Sequence, residues 1–439
     1  MNSQKVFFKD ALQKAVIGLR DSGLSPDKAL IIRDIYGRIH VAIDSSRDEA
    51  KDREAALLSS LALLGAYAEA GERQVLFRED FFDPGSIFSD PAIQEMWLPE
   101  IGSPIRLLDR QIVGQDWILP HNPGSIPRLV FYGFKGGVGR TTAITILAYH
   151  LASKGRRVLL IDLDLESPGL SSLLLPMDNR ADFGLVDWFV EDGVGQGEAV
   201  LPRLVAASPV GQHTQGAIRV AAASGRDTGE DHYLSKLARV YADINGEGRV
   251  ERFADRVRRL VEELERQEQP DVVLIDSRAG LHDLAAISIV GLSTHTYLFA
   301  AGSVQSWQGY RLLFSHWRAY PKMLAKIRDR LVMVHAMFPE TEQEARANQF
   351  LEDSYTLFSE TLYESIEPGP KPDEEIFNFD LKDESAPHYP ARIRWNNSLQ
   401  EFSPLLHSRH ILGDEMIGAT FGDFLSRVDN DLSEVNKDG

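Results

Sequence analysis

Lys135-Gly136-Gly137-Val138-Gly139-Arg140-Thr141-Thr142 is the stretch that decides the fold. An apolar run, Arg128-Leu129-Val130-Phe131-Tyr132, precedes it, and a helix-forming segment, Ala143 to Ser153, follows. Strand, glycine-rich turn and helix together are the context of a phosphate-binding loop. Backbone amides in the turn and the helix N-terminus offer partial positive charge to phosphate oxygens. Gly136, Gly137 and Gly139 let that backbone approach without an intervening side chain. The ordinary pattern ends Gly-Lys-Ser/Thr. Here it ends Gly139-Arg140-Thr141, with an additional lysine, Lys135, at the front.

Downstream, two further apolar strands end in acids. Arg157-Val158-Leu159-Leu160-Ile161 runs into Asp162-Leu163-Asp164, and Asp271-Val272-Val273-Leu274-Ile275 into Asp276. The carboxyl ends of strands are where a doubly wound sheet presents its ligand site. A carboxylate buried there is costly unless a cation or hydrogen bonds compensate it. Mg²⁺ held by Thr141 and nucleotide oxygens would compensate Asp276, and Asp164 is placed to orient an attacking water. Each piece alone has a simpler account. A lone glycine-rich turn is weak, Asp162 and Asp164 would serve as strand-end caps, and Asp276 as a helix cap. The conjunction of all three points to a nucleotide.

Strand signals at 296–300 and 331–336, with Ala217–Ala222 and intervening helices, predict a mostly parallel sheet covered by helices on both faces. Residues 232–267 read as helical, with a charged second half in which Arg252, Arg256, Arg258 and Arg259 alternate with acids, a pattern of surface ion pairs. Residues 365–395 read as irregular, and a last helix is expected over 415–433. Ahead of a turn-rich linker at 118–127, residues 1–118 predict a small α+β domain: a helix at 5–23, a hairpin from 29–32 and 39–43, a helix at 49–70, and strands at 74–77 and 105–108. The domains are therefore expected as 1–125, of unassigned role, and 126–439, an ATP-binding domain with a C-terminal extension.

The three motifs, in this order, resemble the ParA/MinD ATPases over roughly residues 126–340. Lys135 to Thr142 resembles their deviant phosphate loop, in a variant branch marked by the KGGVGR sequence. The resemblance implies a P-loop NTPase fold, ATP and Mg²⁺ as cofactors, and a face-to-face homodimer closed by ATP and released by hydrolysis. It implies catalytic roles for Lys135, reaching the partner's nucleotide, and Asp164, positioning water. It implies nucleotide contacts from Gly136, Gly137, Val138, Gly139, Arg140, Thr141 and Thr142, and metal ligation through Thr141, Asp162 and Asp276. Adenine contacts are expected near Phe338 and Pro339. Arg140 stands where these proteins carry lysine. It keeps the charge as a larger planar fork, so turnover is expected to be slow. A nucleotide-locked scaffold is the alternative. Leu165-Glu166-Ser167-Pro168-Gly169 departs from the partition proteins toward bacterial tyrosine kinases, but no terminal tyrosine cluster follows Tyr389. Arg278 reads either as a γ-phosphate contact or as a surface ion pair, and His282-Asp283 as helix-start residues.

Composition narrows the partners. The net charge of −18 disfavours DNA binding by the bulk surface, although Arg318, Lys322, Lys326, Arg328 and Arg330 form a local basic cluster, read as a solvated helix face. There are no cysteines, so thiol chemistry and disulfides are excluded. No apolar run reaches the roughly 20 residues of a membrane helix, the start lacks a signal-peptide core, and the acidic tail 423–431 is unsuited to an anionic bilayer. A cytoplasmic protein without a membrane anchor is expected, with a protein partner engaged through the N-terminal domain or residues 340–410.

Overall fold

The structure is a computed structural model. It describes residues 5–24, 28–68, 74–99, 101–245, 250–339, 341–365, 376–399, 402–405 and 413–438. The chain forms two compact units, one of Met1–Leu119 with Ser315–Lys326 and one of Pro120–Phe314 with Ile327–Gly439.

In the first unit, strands β1 (Ala29–Arg33), β2 (Ile39–Ile43), β3 (Val75–Phe77), β4 (Gln94–Leu98) and β5 (Ser103–Asp109) form a sheet in the order β3-β2-β1-β5-β4. The expected hairpin is present, with Ala29 opposite Ile43. Helices Phe8–Asp21 and Arg47–Ala62 bury Leu12, Val16, Leu19, Leu57 and Leu61 against Ile31, Val41 and Val75. The helical spacing of these residues gives each helix one apolar face to bury. β4 was not expected from the sequence. It pairs antiparallel with β5, and only Leu98 on it is fully buried.

The second unit is built on β6 (Arg128–Gly133), β7 (Arg157–Asp162), β8 (Val205–Ala207), β9 (Ala217–Ala221), the short pair β10 (Ile244–Asn245) and β11 (Val250–Glu251), β12 (Val272–Asp276), β13 (His295–Ala300), β14 (Leu331–Phe338) and β15 (Ala391–Arg394). Eight of these form one sheet, in the order β15-β14-β13-β6-β12-β7-β9-β8. All neighbours are parallel except β8 with β9. β6, β7 and β12 are buried almost throughout, which is why they read as unbroken apolar runs. One face carries helices Arg140–Ser153 and Asp414–Asp438, whose Ile144, Leu147, Phe421 and Phe424 pack on Leu129, Phe131, Tyr297 and Phe299. On the other, helices Val304–Arg318 and Gln343–Thr361 bring Tyr310 against Tyr132 and Phe350 against His335. The fold is that of a P-loop NTPase.

Four expectations are corrected, the first being that 365–395 is irregular, since Ala391–Arg394 within it pairs with β14 as the edge strand β15. Residues 232–267 are not one helix: Tyr233–Val240 ends before the β10–β11 pair, and a second helix spans Phe253–Glu268. Arg256 is buried rather than on a solvated face, because it donates to Asp192 at 2.9 Å and to the carbonyl of Ala242 at 2.8 Å. The cluster at 318–330 is not one basic helix face. Lys322 pairs with Glu95 at 2.7 Å in the first unit, whereas Arg328 pairs with Glu364 at 2.7 Å and Arg330 is buried in the second.

Candidate nucleotide site

β6 delivers the loop at the carboxyl end of the sheet. Phe134 to Gly139 form the turn, and the helix begins at Arg140. Gly137 and Gly139 both have φ of 75°, a left-handed conformation that side chains with a Cβ resist. Lys135, Gly136, Gly137 and Gly139 are exposed, while Val138 is buried and anchors the turn in the core. Phe134 is fixed from the opposite face. A Cβ on Gly309 would lie 2.2 Å from its ring, so only glycine there admits the phenyl group. Thr141 and Thr142 occupy the first helical turn, partly buried.

β7 and β12 are adjacent and parallel, with Asp162 in register with Asp276. Asp162, Asp164 and Asp276 are therefore brought together, all buried, beside the start of the helix. Arg140 does not lie on the open face of the loop. Its side chain turns inward, donating from Nε to Asp276 Oδ1 at 2.6 Å and from Nη2 to Asp164 Oδ2 at 2.8 Å. Thr141 Oγ1 donates to Asp276 Oδ2 at 2.9 Å. Asp162 Oδ2 accepts from the amides of Gly169 and Leu170, each at 3.2 Å. Its Oδ1 is buried with no partner among the described residues.

One guanidinium thus serves two of the three carboxylates, Asp276 and Asp164. Burial opposes the Arg140 charge, but Asp276 and Asp164 outweigh it and hold the group above its usual range. Asp162 is pushed well up, by burial first and then by the charge of Asp276, against the donation from Leu170 N. Asp164 is raised by burial, with Arg140 opposing. A site short of positive charge, with an orphaned carboxylate oxygen and a threonine hydroxyl at hand, fits a divalent cation. No group of three or more His, Asp or Glu side chains among the described residues encloses a metal by itself.

The loop after Asp164 and the loop after Asp276 meet at Glu166. Arg278 forms an ion pair with it, Tyr241 donates its hydroxyl to it, and His282 Nε2 lies 3.7 Å from its Oε1. His282 also starts a helix, as expected, accepting from Leu284 N on Nδ1 at 3.2 Å. Tyr233 and Tyr241 carried no signal in the sequence, since their partners Leu165 and Glu166 lie about 70 positions away. Around the expected adenine segment, Phe338 packs on His335 and His335 stacks on Phe350, with ring centroids 3.9 Å apart.

Residues 129–292 match the family model of the CobQ/CobB/MinD/ParA nucleotide binding domain. Over this segment the chain is similar to the nucleotide-binding domains of that family. The matched segment contains the loop and all three acids. Solved structures similar to the chain include a ParA family ATPase from Chlorobium tepidum TLS, 14% identical, covering 68% of this chain and 98% of that one, with a TM-score of 0.42. The MinD cell division protein of Aquifex aeolicus is 16% identical over 69% of this chain and 97% of its own, with a TM-score of 0.40. The ATP complex of a Cyanothece McdA variant is 13% identical over 52% and 80%, with a TM-score of 0.35. No curated protein matches the chain. No helix among the described residues is long and apolar enough to cross a membrane.

Proposed function

We propose that this ParA/MinD-type domain binds ATP with Mg²⁺ and acts as a nucleotide-dependent dimerisation switch with slow turnover. The observation that carries the reading is the convergence of Arg140, Thr141, Asp162, Asp164 and Asp276 beside the glycine turn. Amides of Gly136, Gly137 and Gly139 and the N-terminus of the helix would cradle the phosphates. Thr141 and Asp276 would hold the metal, with Asp162 beside them as the companion acid. Bound Mg²⁺ would neutralise the charge of the β- and γ-phosphate oxygens. Asp164 would orient water. Lys135, exposed at the front of the turn, would reach the nucleotide of a second copy.

Arg140 sets the rate in this scheme. While Asp164 Oδ2 accepts from Arg140 Nη2, the carboxylate is less basic and less free to turn toward water, so turnover is slowed until the guanidinium moves. The same ion pair favours the second reading, a nucleotide-locked scaffold with negligible hydrolysis. Calorimetry and light scattering with Mg²⁺ and ATP test the first: saturable binding with a doubling of mass is expected, and absence of both removes it. Steady phosphate release that disappears in Asp164→Ala would remove the second. One similar structure, that of pNOB8 ParA, is bound to nonspecific DNA, which makes DNA a partner worth assaying in the ATP state. With a net charge of −18, little binding is expected.

A further inference from the structure

The register that aligns Asp162 with Asp276 sends two loops outward side by side. Four residues beyond Asp162 stands Glu166, and two beyond Asp276 stands Arg278. Their ion pair differs from an ordinary surface bridge. Glu166 Oε2 and Arg278 Nη1 are both shut off from solvent, with no other hydrogen-bond partner among the described residues. Glu166 Oε1 takes the Tyr241 hydroxyl. The His282 ring accepts on Nδ1 from Leu284, so its neutral form carries its proton on Nε2, toward Glu166. Tyr233 holds the neighbouring Leu165 carbonyl at 2.5 Å. One carboxylate therefore ties together both loops that leave the acid-bearing strands and the helix Tyr233–Val240. The positive charge of Arg278 also reaches Asp164, whose carboxylate it steadies in the ionised form.

We infer that Arg278 is the γ-phosphate-sensing residue of this site and that Glu166 is its holding partner when the third phosphate is absent. The inference rests on the ATP-site reading above. Arginine suits the role because a phosphate offers it the same planar, two-oxygen recognition as a carboxylate, with more charge. A γ-phosphate near Asp164 would draw Arg278 from Glu166 and free the Leu165–Pro168 loop, the segment that departs from the partition-protein pattern. ADP lacks the group that makes the exchange favourable, so it would leave the latch closed.

The test is calorimetry on the full chain with Mg²⁺, comparing ADP with a non-hydrolysable ATP analogue. The wild type should prefer the analogue. Arg278→Ala should keep its ADP affinity within about twofold and lose roughly 10- to 100-fold for the analogue, the range of a hydrogen bond to a charged group. Arg278→Lys should recover part of the loss. Glu166→Gln should tighten the analogue and leave ADP unchanged. Equal losses for both nucleotides in Arg278→Ala and Arg278→Lys, or no loss in either, would make Arg278 a structural strut and overturn the inference. Wild-type protein that binds both nucleotides equally would also overturn it. Wild-type protein that binds neither would remove the ATP-site reading, and the inference with it.

Discussion

Each unit sets an arginine against aspartate at the end of a strand, and the two arrangements differ in one respect. In the first unit, Arg33 and Asp109 are register partners on β1 and β5. Arg33 Nε donates to Asp109 Oδ1 at 2.8 Å, its Nη2 binds the other oxygen, and Gln111 Nε2 adds a third donor at 2.8 Å. One cation meets one anion and both carboxylate oxygens are satisfied. In the second unit, Arg140 is shared between Asp164 and Asp276, while Asp162 keeps an unpartnered oxygen. The residue types are the same, but the charge balance is not. A closed pair fastens a fold. An open cluster retains affinity for a cation.

Asp109→Ala tests the closed pair. It leaves the largely covered Arg33 without its anion, so a loss of about 3 kcal/mol is expected in denaturant titrations. The double replacement Arg33→Met with Asp109→Leu should restore most of it. Mg²⁺ should change neither result. Arg140→Met tests the open cluster. In chelator it should lower stability by about 3 kcal/mol, because Asp164 and Asp276 lose the guanidinium they share. Millimolar Mg²⁺ without nucleotide should restore it, while the wild type responds little. A variant indifferent to Mg²⁺ would end the contrast between the two sites.

His335 offers a third case, a buried titratable group with no carboxylate partner. Burial lowers its pKa to about 4, and nearby Arg392 adds to the effect. The depressed value means that folding favours the neutral ring. Its contribution is therefore complete above the unfolded value near 6.5 and is lost as pH falls toward 4. Compared with wild type, His335→Gln should flatten the acid limb of the stability profile by roughly 1–3 kcal/mol at pH 4. An identical limb in both proteins would show that the ring does not carry the pH response. The smallest effect on stability belongs to Lys135→Ala, within about 0.5 kcal/mol as for other exposed positions. That variant should still bind ATP in calorimetry while failing to double its mass in light scattering. A variant that dimerises normally would confine the site to a single subunit.

The parts of the fold that were legible in the sequence are those whose surroundings repeat along the chain. β6, β7 and β12 are flanked by other strands and covered on both faces, so their burial is written in consecutive Val, Leu and Ile. The acids that end β7 and β12 stand out because each interrupts an apolar run. The break in residues 232–267 was not legible, because Arg256 looks like its neighbours Arg258 and Arg259 until Asp192 arrives from 64 positions away. β8 has only three residues, too few to show a period. At the site, the sequence identified which groups gather but not which way Arg140 points. That direction is set by the joint pull of Asp164 and Asp276, two acids that come together only when the sheet forms. Glu166 was equally hidden, since Tyr241 and Arg278 reach it from separate elements.

The glycine notch under Phe134 has a consequence for how the front of the loop is aimed. Phe134 is seated in a space that exists only because residue 309 has no side chain. The residue after it, Lys135, therefore takes its bearing from a helix that belongs to no phosphate motif. A methyl group at 309 would collide with the Phe134 ring and push on the start of the loop without altering a single residue of it.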